Sequence, residues 1–222
     1  MKITTFSEVT IDGRLTLGRG ASSKALFDFY GPELRHWFHA ERAAHHAIMV
    51  GAGTVRTDDP ELTVRHAPGR NPLRVVPTND GSLPPQSRIL TDGLPTLLAV
   101  PQGLPAPVRA RLTACPGVAL MDCGATRVDL RLMVAALSAR GIASLMVEGG
   151  SRLLHGFFAA GLVNRIVIKH IPVVSGSLDA PAFFAAAPAA PAVELSRWQV
   201  VDWRLIGGVG VSIYEPLKGI LA

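Results

Sequence analysis

The sequence predicts an α/β protein built on a largely parallel sheet with an antiparallel end. Three observations carry that reading. Short apolar strands alternate with helical segments through the middle of the chain. Two of those strands, at 47–50 and 143–147, run straight into glycine turns. The last stretch, "AVELSRWQVVDWRLIGGVGVSIYEP", alternates polar and apolar residues with no helical period.

The elements follow in order. "KITTFSEV" (2–9) is rich in β-branched and aromatic residues and reads as a strand, and "DGR" (12–14) turns the chain. Residues 22–47 read as helical with a break at Gly31-Pro32; Ser23 can cap the first part, and Pro32 suits the first turn of the second. "AIMV" (47–50), "PLRVV" (72–76), "PTLLAV" (95–100), "GVALMD" (117–122) and "ASLMV" (143–147) are strands. "VDLRLMVAALSARG" (128–141) and "GSRLLHGFFAAG" (150–161) repeat apolar residues at helical spacing, and each stops at a glycine. "RIVIKHIPVV" (165–174) is a long strand. The prolines of 181–191 mark a loop, and Gly207-Gly208 marks a hairpin in the tail.

Composition narrows the function. The chain has 222 residues, 48% of them hydrophobic, which fits one domain spanning 1–222. Two cysteines, Cys115 and Cys123, form no CxxC pair and suit a reducing, cytoplasmic setting. No signal peptide and no membrane span are expected. The net charge of +5 favours an anionic partner, but there is no Lys/Arg block and aromatics are only 6%, so nucleic acid is not expected. His36 and His39, followed by His45 and His46, lack HExxH spacing and carboxylate partners, so no metal site is expected. GxSxG is absent too.

The glycine turns are the candidate ligand sites. "GAGTVR" starts like a dinucleotide fingerprint, but Arg56 stands where a third glycine belongs. Gly51 and Gly53 either permit a sharp exit from the strand or let a ligand approach the backbone, with Thr54 adding a hydroxyl. In "LMVEGGSRLL" a strand ends in Glu148, then Gly149 and Gly150, then a helix starting at Ser151 and Arg152. A helix start offers free N–H groups and positive dipole, which suit a phosphate. Both turns fall at carboxyl ends of strands, where open α/β sheets bind ligands. Glu148 can bind sugar hydroxyls or act as a general acid. Asp58 and Asp59, on extended chain, would point to opposite sides, one capping a turn and one facing the site. Arg42 and Arg65 would suit a phosphate or a surface salt bridge.

The ordered set "TIDGRLT", "AIMVGAGTVRTDDPELTVR", "NPLRVV", "LMVEGG" and "GLVNRIVI" resembles the riboflavin-pathway pyrimidine reductases, over about residues 2–214. The resemblance implies a dihydrofolate-reductase-like fold, with a central mixed, mostly parallel sheet flanked by helices, and a homodimer. It implies NADPH-dependent reduction at C1′ of a ribosylaminopyrimidine 5′-phosphate, opening the ribose to a ribityl chain. On it, Gly51, Gly53, Thr54 and Asp58, with Gly149, Gly150, Ser151 and Arg152, match cofactor positions. Arg42, Leu62, Arg65 and Glu148 match substrate positions, and Glu148 is the candidate catalytic acid. The alternatives are a dihydrofolate- or pterin-type reductase of the same fold and a non-catalytic nucleotide-binding homologue. Phe6 stands where relatives often carry lysine, Thr78 where they carry aspartate, Asn164-Arg165 for Asp-Glu, and Ser177 for glycine. No HxE…PCxxC zinc signature occurs, so no deaminase domain is expected.

Overall fold

The computed structural model describes residues 1–183 and 196–217. Nine strands form one sheet in the order β5-β4-β3-β2-β6-β1-β7-β9-β8. They are β1 (Lys2–Thr10), β2 (Ala47–Met49), β3 (Leu73–Pro77), β4 (Thr96–Val100), β5 (Val118–Asp122), β6 (Ser144–Val147), β7 (Arg165–Ile171), β8 (Trp198–Ile206) and β9 (Val209–Pro216). All pairs from β5 to β7 are parallel; β7–β9 and β9–β8 are antiparallel. The mixed sheet with its antiparallel end is the predicted fold class.

The apolar strands are apolar because both faces are covered. Ala47 and Met49 of β2 join a core with Ile3, Leu145 and Val147. Ile48 and Val50 join another with Val55, Val76 and Leu98. A third core gathers Phe6, Leu34, Phe38, Met146, Val167 and Val211. Helix α5 (Leu130–Ala139) contributes Met133 and Leu137 to the first core, and α6 (Ser151–Ala159) contributes Leu154 and Phe157.

Several local expectations are corrected. The break expected at Gly31-Pro32 is present, with Pro32 opening α1 (Pro32–Ala44), but the first part is a 3-10 helix, Ser23–Phe29, and the second ends before His45. Ser22, not Ser23, caps the first, its hydroxyl accepting the Lys24 amide at 3.1 Å. Three short helices were not anticipated: α2 (Ala52–Asp58), α3 (Arg88–Thr91) and α4 (Ala106–Thr113). The strand expected over 165–174 stops at Ile171. The predicted hairpin is present: Gly207 and Gly208 have φ of 56° and 83°, the left-handed pair that a two-residue turn between β8 and β9 requires. From residue 184 on, the loop expected over 181–191 lies outside the described residues.

Strand β8 is the sheet edge and carries an apolar row in water: Val200, Trp203 and Leu205 are 57%, 58% and 75% exposed. Among the described residues no helix is long and apolar enough to cross a membrane.

Candidate active site

Two adjacent parallel strands, β2 and β6, end side by side, and each is followed by glycines and a helix. A cavity of about 610 Å³ opens there, walled by both turns and by residues of β1 and of the loops around Thr16, Asn79 and Arg127. This is the crevice at strand carboxyl ends that open α/β sheets use for ligands.

The two glycine turns are bonded to each other. The Gly51 amide donates to the Gly149 carbonyl at 3.0 Å, and the Glu148 amide to the Met49 carbonyl at 2.9 Å. The Gly150 amide donates to Thr54 Oγ1 at 3.1 Å. A side chain on Gly150 would stand 3.3 Å from that hydroxyl. Gly149 has φ 98°, a conformation that favours glycine, and the Gly149–Gly150 peptide is cis. Gly150 occupies the N-cap of α6 with no side-chain bond. The first amides of α6, Ser151 and Arg152, have no backbone acceptor among the described residues, so they are free to meet an anion.

The stretch after Gly51 is helix α2, not extended chain. Asp58 closes that helix and Asp59 caps it with φ 39°. Asp58 lines the cavity; its Oδ2 accepts the Ser23 hydroxyl at 2.9 Å, and its buried Oδ1 has no hydrogen-bond partner among the described residues. Asp59 turns away and accepts the Arg88 amide at 2.9 Å.

Glu148 sits on the cavity wall, and both of its oxygens are held by Arg42, Nε and Nη2 each donating at 2.7 Å. Arg42 Nη1 reaches the Thr63 carbonyl at 3.0 Å, and the guanidinium lies 4.7 Å from the Phe38 ring centroid. Burial works to lower the Arg42 pKa, but the charge and hydrogen bonds of Glu148, with the charges of Glu8 and Tyr30, together bring it above its usual value. Arg42 is thus the anchor of Glu148 and does not itself line the cavity. Leu62 and Arg65 do not line it either. Leu62 is 1% exposed, with φ 55°, inside the second core. Arg65 Nη1 donates to Glu61 Oε2 at 2.6 Å and to Thr63 Oγ1 at 2.7 Å, and the Arg65 amide donates to His39 Nδ1 at 3.0 Å. Burial first, then the charges of Arg42, Arg65 and His66, push the His39 pKa down to about 3, so the ring is neutral and free to accept.

Gly51, Gly53, Thr54, Asp58, Gly149, Gly150, Ser151, Arg152 and Glu148 therefore meet around one cavity. Sequence reading missed three charged residues of the cavity wall: Glu8 on β1, Arg127 before α5, and Arg56 as a wall residue and not a broken motif. Arg56, Arg127 and Arg152 are exposed on the rim, and none pairs with a carboxylate among the described residues. The lone carboxylate of β1, a strand otherwise uncharged from Ile3 on, was the available signal for Glu8. Among the described residues no cluster of three His, Cys, Asp or Glu could hold a metal ion.

Comparison with known proteins places this geometry among relatives. The model of the RibD C-terminal domain matches residues 1–207. A protein of Aquifex aeolicus named 2,5-diamino-6-ribosylamino-4(3H)-pyrimidinone 5′-phosphate reductase is 39% identical over 176 residues, covering 79% of this chain and 78% of its own. Its namesake from Methanothermobacter thermautotrophicus is 37% identical over 175 residues, covering 78% of each. Among solved structures, a pyrimidine reductase-like protein of Corynebacterium diphtheriae superposes with a TM-score of 0.80 at 18% identity, over 98% of this chain and 92% of its own. Acinetobacter baumannii RibD gives 0.78 at 22% identity, over 98% of this chain and 58% of its own. Dihydrofolate reductase of Enterococcus faecalis gives 0.50 at 12% identity, over 98% and 97%. The structural likenesses are likenesses of fold.

Proposed function

We propose that this chain, which belongs to the RibD C-terminal domain family, reduces a phosphorylated ribosylaminopyrimidine with NADPH in riboflavin biosynthesis. The observation that carries the reading is the pair of bonded glycine turns with Glu148 fixed between them on the cavity wall. The names of the 39% and 37% identical relatives favour the 2,5-diamino-pyrimidinone as substrate over its deaminated counterpart.

The residues present fit NADPH. The free amides of Ser151 and Arg152 suit its diphosphate, Thr54 has a hydroxyl proton left to donate, and the rim arginines suit the extra phosphate that distinguishes it from NADH. When bound, NADPH supplies the hydride for C1′, while the C1′–O4′ bond opens and O4′ takes a proton. The chain's contribution is alignment: the two turns set the cofactor against the wall that carries Glu148, and Arg42 fixes that carboxylate. We further propose that two copies associate through the apolar row of β8, and that the enzyme works in the cytoplasm, in keeping with the free thiols Cys115 and Cys123.

The test follows NADPH absorbance with the diamino and the deaminated ribosylaminopyrimidine phosphates and with dihydrofolate. Oxidation is expected with a ribosylaminopyrimidine, fastest with the diamino form. NADPH binding without oxidation by any of the three would refute the enzyme reading. Complementation of a riboflavin auxotroph lacking only the reductase gives the same answer in cells.

A further inference from the structure

The wall of the cavity holds a second acid, with a cation buried behind it. Glu8 on β1 stands opposite Lys169 on β7 in the sheet register. Its side chain is 13% exposed and opens on the cavity, whereas that of Lys169 is wholly buried. Lys169 Nζ and the Tyr30 hydroxyl both donate to the same oxygen, Glu8 Oε1. The ammonium also lies 3.4 Å from the Phe38 ring centroid and 5.1 Å from that of Tyr30. Tyr30 and Lys169 feel the charge of Glu148 as well as that of Glu8, so the two acids belong to one electrostatic cluster with Arg42.

The protonation states follow from these neighbours. Burial works to raise the Glu8 pKa, but the Lys169 charge and the bonds from Lys169 and Tyr30 bring it below its usual value. Burial, with the Glu8 charge added, drives the Tyr30 hydroxyl well above 10.0, so it remains a donor. Burial draws Lys169 below 10.5, and Glu8 limits the fall. Glu8 is thereby favoured as a carboxylate and Tyr30 as a phenol.

The two acids differ in what they have left to offer. Arg42 takes both oxygens of Glu148, while no side chain among the described residues bonds to Glu8 Oε2. A carboxylate oxygen accepts and cannot donate. It therefore selects hydroxyl or amino groups and repels phosphate, which belongs at the arginine rim. Hydroxyls of Thr16 and Ser23 share the cavity wall with it.

We propose that Glu8 is a second substrate carboxylate, its Oε2 accepting hydrogen bonds from the hydroxyls of a pentose chain, and that Lys169 is the positioning residue that keeps it ionised and aimed. This rests on the proposed reductase function and names the group that grips the sugar.

Steady-state kinetics with NADPH and the ribosylaminopyrimidine phosphates test it, comparing wild type, Glu8→Gln and Lys169→Met, with NADPH affinity measured by fluorescence. Glu8→Gln should raise the substrate KM roughly 10- to 100-fold, the range for losing hydrogen bonds to a charged group, with NADPH Kd within about twofold. Lys169→Met leaves Glu8 buried without its counter-ion, which raises the carboxyl pKa. Its KM defect should shrink as pH rises above neutral, whereas the Glu8→Gln defect stays constant. Unchanged KM and kcat in Glu8→Gln, with an active wild type, overturn the inference and leave the reductase reading standing. Equal loss of NADPH affinity overturns it as well, since Glu8 then serves the cofactor. An inactive wild type overturns both. Should Lys169→Met fail to fold, Glu8→Gln decides alone, because it keeps an acceptor for Tyr30 and Lys169.

Discussion

Arg42→Met removes a guanidinium that is 6% exposed and makes two 2.7 Å bonds to Glu148 and one 3.0 Å bond to the Thr63 carbonyl. Methionine fills much of the volume and keeps contact with Phe38, so the loss is chiefly electrostatic. Glu148 is left with a side chain 11% exposed and no cation on either oxygen. Breaking one partner of a buried pair costs about 3–5 kcal/mol. For a chain of this size that corresponds to a fall in Tm of roughly 6–20 °C. Glu148→Gln keeps an amide oxygen for one of the two bonds and should cost less, about 1–3 kcal/mol. In the double variant no buried charge is stranded, so its cost falls short of the sum, with a coupling above ~1 kcal/mol. Thermal and urea unfolding followed by circular dichroism measure all four corners of the cycle. NADPH titration of the Glu148→Gln variant should change less than its turnover, since in the proposed function Glu148 serves the substrate. A Tm drop under about 2 °C for Arg42→Met, or strictly additive losses, would refute the reasoning that this pair is desolvated and mutually dependent.

Four further outcomes are expected. Gly149→Ala places a side chain at φ 98° and should destabilise by about 1–3 kcal/mol and weaken NADPH binding; a stable, tightly binding variant would show that the turn tolerates another path. Arg127→Ala and Arg152→Ala should each weaken NADPH roughly tenfold while leaving NADH unchanged, and equal effects on both cofactors in titration would remove these arginines from the extra phosphate. Trp203→Glu with Leu205→Glu should give monomers in sedimentation velocity if the β8 row is the contact between copies. Asp12 has its pKa lowered to about 2, first by the Ser175 amide, then by the Thr10 hydroxyl and the Gly176 amide. A depressed carboxyl stabilises the fold above its unfolded value of 3.8 and loses that effect as pH falls toward 2. The stability difference between wild type and Asp12→Ala should therefore close across that window, and a constant difference would argue against the link.

The strands were legible because burial on both faces leaves an uninterrupted apolar run, as in "AIMV" and "ASLMV". The hairpin was legible because Gly207-Gly208 meets a backbone demand that few residues meet. Helix α2 was not, since "AGTVRTD" is short and mostly polar, and docking Val55 into the core outweighs its weak propensity. Helix α4 buries only Leu112, so it too left no periodic signature. At the site, the glycines and Glu148 stood out because they interrupt strand and helix patterns. The partnerships did not: Arg42 and Glu148 are 106 residues apart, and Glu8 and Lys169 are 161 apart. Local pattern carries no record of which distant charge answers another. Arg42 and Arg65 read as suiting a phosphate or a salt bridge from their type; in the fold Arg42 pairs with Glu148 and Arg65 Nη1 with Glu61, a choice their type does not decide.

The position of β6 has a consequence for how the molecule assembles. β6 lies between β1 and β2, strands that precede it by some hundred residues and do not pair with each other. Until residues 144–147 emerge and insert, the halves of the sheet share no hydrogen bond at this seam, and the 96-residue link from Thr54 to Gly150 is open. Loop closure of that length comes late and slowly. Cofactor affinity should therefore appear all at once during refolding, in step with β6 insertion, and nucleotide present during synthesis would trap the chain at the moment its central strand arrives.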